Sequence, residues 1–212
     1  FAGYDGVVIT GCSGSPVWLS IVEGKPELHD ASSLWGSDSY ATQQMVRNAL
    51  GDQKARVACI GVAGENKVKM AAVMNDHGRA AGRTGMGAVM GSKKLKAIGA
   101  RGSAKVPLAD QEKLKALTRD IIADLDDAIL PRALRLSGTA GTLDALLMYG
   151  DMPIRYYQQG DWDNASNLSG IVMAERYQNR IYACYRCPIG CGRETRAPSY
   201  GLDKVDGPEY ET

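Results

Sequence analysis

The chain is poor in the residues that most metal and disulfide chemistries use. It has two histidines, His29 and His77, far from each other and in no ligand-like pair. Five cysteines in 212 residues, unevenly spread, are too few for a secreted disulfide scaffold. The net charge is only +1, which argues against wholesale nucleic-acid binding. No run approaches the roughly 20 apolar residues that a bilayer-spanning helix needs. No signal-peptide pattern opens the chain. It starts at Phe1 without a methionine and so reads as a piece of a longer protein. Phenylalanine occurs once, whereas glycine occurs 25 times. Many glycines mean many backbone positions where a side chain would obstruct a turn or a ligand. That favours a loop-rich binding scaffold over a helical bundle for at least part of the chain.

The cysteines that are present are concentrated. Cys184, Cys187 and Cys191 lie in Cys-Tyr-Arg-Cys-Pro-Ile-Gly-Cys, a C-x2-C-x3-C run with a proline directly after one cysteine. Thiolates hold the irons of iron–sulfur clusters, and tight spacing lets one loop supply several of them. Spacing alone also admits a zinc site of the Cys3His type, or no metal. A cubane cluster normally takes four protein ligands. Either the chain folds back to Cys12 or Cys59, or the fourth ligand lies beyond Thr212. Both upstream cysteines sit in apolar contexts and read as reduced packing residues.

A second cluster of unusual residues runs from Gly78 to Lys94: Gly-Arg-Ala-Ala-Gly-Arg-Thr-Gly-Met-Gly-Ala-Val-Met-Gly-Ser-Lys-Lys. Five glycines fall within fourteen residues, and Glu65 to Arg101 carries eight Lys or Arg against two acids. Exposed backbone N–H groups and forked arginine donors together suit a phosphate or pyrophosphate. The segment lacks the G-K-[ST] end of a Walker A loop and the G-x-G-x-x-G spacing of a dinucleotide fold. Lys93, Lys94, Lys96 and Arg101 read as solvated surface.

Periodicity divides the chain near Pro107. Before it, the pattern predicts strands at 7–10, 17–22, 25–29, 57–60, 67–73 and 96–101. It also predicts a helix at 40–50, capped by Ser37 or Ser39 and stopped by Gly51. After it, Asp110 is a plausible cap for a helix carrying Leu114, Leu117, Ile121, Leu125 and Ile129 at helical spacing and ended by Pro131. Further helices are expected at 142–149 and 173–181, the last delivering the chain to the cysteine loop. The expected class is α+β: a β-rich domain over 1–106 and a mainly helical domain over 107–212.

Taken in order and at this separation, three motifs resemble the aldehyde ferredoxin oxidoreductases. They are the glycine–arginine segment continued by Leu-Lys-Ala at 78–97, the cysteine loop continued by Gly192-Arg193, and Gly-Pro-Glu-Tyr-Glu at 207–211. Phe-Ala-Gly-Tyr-Asp at 1–5 and Gly-Val-Ala-Gly-Glu-Asn at 61–66 fit as well. The resemblance covers essentially the whole chain and makes it an internal piece of a protein about three times as long.

That resemblance implies a tungsten ion, or molybdenum in its place, held by two pterins whose phosphates share a magnesium. It also implies a nearby [4Fe–4S] cluster. The β-rich domain would cradle the pterins. The reaction implied is oxidation of a small aldehyde to a carboxylic acid, with ferredoxin as electron acceptor and no nucleic acid or membrane involved. A cytoplasmic location is expected, and a homo-oligomer is left open. By the same resemblance Cys184, Cys187 and Cys191 bind the cluster, and the fourth cysteine belongs to the later region. Arg79 and Ala80 meet the pterin phosphates, with the Ala80 carbonyl near the magnesium. Gly82, Arg83 and Gly85 continue that cradle, and Glu211 lies near the tungsten as a proton-transfer group. A benzoyl-CoA-reductase-type tungsten subunit and an iron–sulfur electron-transfer module without pterin are the alternative readings.

Overall fold

A computed structural model describes residues 1–76 and 78–208. The fold is α+β. The chain divides into two compact units, Phe1–Pro107 and Leu108–Thr212.

The first unit begins with the hairpin β1 (Val17–Val22) and β2 (Lys25–Asp30). Its two-residue turn is Glu23-Gly24, both with positive φ (47° and 80°). Two left-handed residues give the turn a twist that matches the strands. Next come α1 (Ser39–Leu50), β3 (Arg56–Cys59), the single-turn α2 (Val62–Glu65), β4 (Val73–Asn75), β5 (Arg79–Ala81), α3 (Met86–Ser92) and β6 (Leu95–Arg101). The strands form one sheet in the order β2-β1-β6-β3-β4-β5. Only β1 and β6 run parallel.

The start of α1 is set by Asp38, whose carboxylate accepts the Ala41 N–H at 2.8 Å. The cap is therefore the residue between the two serines singled out by the sequence. Gly51, left-handed at φ 65°, closes the helix as its position suggested. Two clusters fill the unit, and the period-two alternation of β1 feeds both. Trp18 packs with Ala31, Leu34, Val46, Val57, Cys59 and Ala97, while Leu19 and Ile21 pack with Ile60, Met90 and Leu95.

Two expected strands are not formed. Val7 to Thr10 lies outside both sheets. In 67–73 only the last residue enters a strand. Lys67 has φ 57°, the Val68 N–H donates to the Ala63 carbonyl and the Ala71 N–H to the Val68 carbonyl. Local turns therefore satisfy the backbone that alternation alone assigned to a ladder.

Lys96 is fully buried rather than solvated. Its ammonium pairs with the Glu65 carboxylate and donates to the Ser37 carbonyl at 2.8 Å. The same carboxylate accepts the Gly36 N–H. Arg101 is also paired, to Asp52 at 2.6 Å.

Cys59 is buried as expected, but Cys12 is exposed on a loop, donating to the Ser92 carbonyl at 3.1 Å. Burial pushes the Cys59 thiol from 9.0 up to about 11. Between those values the unfolded chain ionises this thiol and the folded chain does not. Its contribution to stability is complete below about pH 9 and lost as the pH rises to about 11. A Cys59→Ala variant is expected to show an alkaline decline in stability smaller by roughly 2–3 kcal/mol, read from guanidinium midpoints at pH 8 and pH 11. Equal declines in both proteins would refute this.

The second unit contains α4 (Gln111–Asp127), α5 (Ile129–Ser137), α6 (Leu143–Met148), α7 (Gly170–Arg176), β7 (Gln178–Tyr182), β8 (Gly192–Ala197) and β9 (Leu202–Asp206). Asp110 caps α4 through the Lys113 N–H at 2.9 Å. The break after α4 falls at the extended residue Ala128, and Pro131 sits in the first turn of α5. There its missing N–H has no intrahelical partner to lose. Leu114, Leu117 and Ile121 remain exposed.

The helix expected to reach Ile181 ends at Arg176, and the chain continues as β7. Pairing with β8 decides this. Glu194 of β8 accepts from Asn179 at 2.7 Å and from Arg180 at 3.0 Å, both on β7, and pairs with Lys204 of β9 at 3.0 Å. The antiparallel sheet β7-β8-β9 is thus tied across its middle strand by one buried carboxylate. The Lys204 ammonium holds that carboxyl below its ordinary range, helped by Asn179 and Arg180. Among the described residues no helix is long and apolar enough to cross a membrane.

Candidate cofactor site

The cysteine loop connects β7 to β8, so a hairpin presents all three thiols. The Cys187 N–H donates to the Cys184 carbonyl at 3.0 Å, closing a tight turn with Arg186 left-handed at φ 56°. Gly190, at φ 67°, turns the chain back toward Cys191. The amides of Gly190 and Ile189 hydrogen-bond the Cys187 sulfur and hold its thiol below the ordinary value. Cys184 is exposed, Cys187 and Cys191 are half-buried, and all five cysteines are unbridged thiols.

Two guanidinium groups support this loop, and sequence reasoning passed over both as supports. Arg135, in the last turn of α5, donates from Nη2 to the Pro188 carbonyl at 3.0 Å and from Nε to the Ile189 carbonyl at 3.2 Å. Asp126 holds its third nitrogen at 2.7 Å. Arg193 is buried in β8 and donates from Nη1 to the Cys191 carbonyl at 2.8 Å. Its guanidinium lies on Gly138, the residue that ends α5, where a Cβ would come within 2.6 Å of Nη1. The position of Arg193 directly after Cys191-Gly192 was a readable signal. Nothing in the sequence links Arg135 to a loop more than fifty residues away.

Among the described residues no three His, Cys, Asp or Glu side chains converge as a ready metal site. The donor set nonetheless fits an iron–sulfur cluster: three soft ligands on one loop, with backbone amides aimed at a sulfur. His29 does not offer itself to a metal in its own unit. It stacks on Trp18 and shares a hydrogen bond with Ser20 at 2.8 Å. His77 lies outside the described residues.

In the first unit, β5 is an edge strand, so Arg79 and Ala80 stand at the rim of the sheet. Ala80, Gly82 and Arg83 are exposed, and nothing lies within 4 Å of a Cβ built at Gly78 or Gly82. This stretch is open, basic and rich in accessible backbone, which suits a phosphate. Gly85 begins a different role. It caps α3 at φ 70°, and a Cβ there would strike the Lys69 carbonyl. At Gly87 a Cβ would meet the Ala72 and Ala71 carbonyls at 2.6 and 2.7 Å, and at Gly91 the Gly64 carbonyl. The later glycines of the segment therefore let α3 press against α2 and the 69–72 backbone. The geometry brings Arg79, Ala80, Gly82 and Arg83 along one edge, with Gly85 at the transition to packing. Glu211 lies outside the described residues.

The model of the aldehyde ferredoxin oxidoreductase N-terminal domain matches residues 1–102, and that of domains 2 and 3 of the same family matches residues 116–212. The tungsten-containing aldehyde ferredoxin oxidoreductases of Thermococcus kodakarensis and Pyrococcus furiosus are each 44% identical to the chain over 213 aligned positions. These alignments cover 100% of this chain and 35% of each relative. Among solved structures, the active-site complex BamBC of benzoyl-coenzyme A reductase, bound to 1,5-dienoyl-CoA, superimposes with a TM-score of 0.74 at 27% identity. It covers 97% of this chain and 33% of that one. Fold and likeness together define the class as proteins built on the scaffold that the aldehyde ferredoxin oxidoreductases share with the BamBC complex. Within it, the chain belongs to the aldehyde ferredoxin oxidoreductase family, and it spans about a third of the length of the curated relatives it matches.

Proposed function

We propose that the full-length protein oxidises a small aldehyde to the carboxylic acid at a tungsten bis-pterin centre and passes the electrons through a [4Fe–4S] cluster to ferredoxin. The observation that supports this most is the gathering of three free thiols on the one hairpin loop between β7 and β8. Aldehyde and water give the acid, two protons and two electrons. The bound tungsten–pterin group would supply the two-electron acceptor, and the cluster a one-electron exit.

The chain's own residues would bind and orient these groups. Cys184, Cys187 and Cys191 hold three corners of the cluster as thiolates, and the loop amides stabilise the charge on sulfur. Arg79 and Arg83 meet the pterin phosphates with forked donors, and the exposed backbone at Gly82 allows close approach. The Ala80 carbonyl offers a hard oxygen ligand to magnesium. Glu211 takes or gives the proton that the oxidation moves. The likeness to the BamBC complex favours a second reading, a reductase acting on an aromatic acyl-CoA ester. Turnover with aldehydes set against benzoyl-CoA separates the two.

Elemental analysis of the full-length protein, purified without oxygen, tests the proposal. Tungsten, pterin and about four irons per chain are expected, as a cubane cluster requires. Zinc alone would overturn the reading, and iron without tungsten or pterin would reduce it to an electron-transfer module. A Cys184→Ser variant is expected to lose most of its iron, and Gly82→Ala most of its pterin with the unfolding midpoint unchanged. Full pterin in Gly82→Ala would remove that glycine from the cradle.

A further inference from the structure

Arg135 contacts two consecutive carbonyls of the cysteine loop, both between Cys187 and Cys191. The Pro188 carbonyl and the Ile189 N–H belong to one peptide unit, and the Ile189 carbonyl and the Gly190 N–H to the next. In a trans peptide, C=O and N–H point in opposite directions. Arg135 accordingly grips two successive peptide units by their oxygens, at 3.0 and 3.2 Å, which turns the Ile189 and Gly190 N–H groups away from the guanidinium. Asp126 fixes the roll of the guanidinium through its remaining nitrogen at 2.7 Å. A planar fork can do this; a lysine ammonium cannot hold two parallel acceptors in a set plane.

We propose that Arg135 is a positioning residue for the iron–sulfur cluster: by holding the 188–189 and 189–190 peptide units it fixes where their N–H groups point within the cysteine loop and so tunes the cluster's reduction potential. The end of α5 is the platform for this. It carries Arg135 directly and, at Gly138, seats the guanidinium of Arg193, which holds the Cys191 carbonyl. Hydrogen bonds to cluster sulfurs are among the determinants of cluster potential. A reduced cluster carries one more negative charge, so oriented N–H groups favour the reduced form. Slackening them lowers the potential. The inference rests on the proposed cluster ligation by Cys184, Cys187 and Cys191.

The test is an EPR-monitored redox titration of the full-length holoprotein, with iron content and unfolding midpoint measured on the same samples. Arg135→Met and Arg135→Lys are compared with the unmodified protein. Both are expected to keep their iron and to show at least a tenfold fall in the reduced-to-oxidised ratio at fixed ambient potential, about 59 mV for a one-electron couple. A wild-type potential in Arg135→Lys would overturn the proposal, because charge alone would then suffice. Should Arg135→Met lose its iron, Arg135→Lys decides. Loss of iron from Arg135→Lys with an unchanged unfolding midpoint supports the positioning role, and loss of iron together with the fold counts against it. An unmodified protein without iron removes the underlying function instead, before any variant is compared.

Discussion

Lys96→Met is expected to lower the stability of the first unit by about 3–5 kcal/mol, the usual effect of removing one partner of a buried ion pair. Lys96 has no exposure, and the side chain of Glu65 is 5% exposed. Methionine fills much of the aliphatic stem's volume, so packing is nearly conserved and the loss isolates the charge. What remains is a carboxylate with, among the described residues, the Gly36 N–H to solvate it, and a Ser37 carbonyl without its donor. A second replacement, Lys96→Met with Glu65→Gln, removes the orphaned charge but keeps an acceptor for Gly36. It is expected to recover about half of the loss, since a neutral buried amide costs far less than an unpaired carboxylate. Urea midpoints of the three proteins settle it. A single variant within about 1 kcal/mol of wild type would mean that water reaches Glu65 and that the pair contributes little. The pair joins the 36–37 loop, α2 and the central strand β6, against which α3 packs.

Gly87→Ala is expected to cost about 1–3 kcal/mol, and more if the backbone cannot shift. The obstructing atoms are carbonyl oxygens of Ala71 and Ala72 at 2.6 and 2.7 Å from the new methyl. Main-chain atoms cannot swing aside as a flexible side chain would. The Gly87 N–H also bonds the Ala71 carbonyl at 2.9 Å, so moving α3 away would stretch that bond as well. Gly82→Ala, five residues earlier in the same segment, meets nothing within 4 Å and is expected within about 0.5 kcal/mol of wild type. Thermal or urea unfolding of the two variants tests the division of one motif into an open part and a packed part. Equal effects on stability would show that the division is wrong.

How far the sequence could be read depended on how local the cause was. The β1–β2 hairpin was legible because Glu23-Gly24 supplies the turn between two alternating runs. The start of α4 was legible because Asp110 stands three residues before the amide it accepts. The cysteine loop was legible because its three thiols share eight consecutive residues. Residues 67–73 misled because Lys67, Lys69 and Ala71 alternate with apolar neighbours by coincidence, and hydrogen bonds to Ala63 and Val68 consumed the backbone first. The end of α7 misled because a three-strand sheet, held by Glu194, reached upstream and took 178–182 from the helix.

By itself the sequence determined the α+β class, the change of pattern near Pro107, the three thiols, the basic glycine-rich segment and the family. Each is written in composition, in spacing or in contiguous motifs. Tertiary structure alone decided that Lys96 is a buried partner of Glu65 rather than a surface charge. It also decided which glycines of one segment are open and which are packed, and which distant arginine grips the cysteine loop. These depend on contacts between residues tens of positions apart. A side chain's chemistry states what it can pair with, and only the folded chain brings the partner within reach.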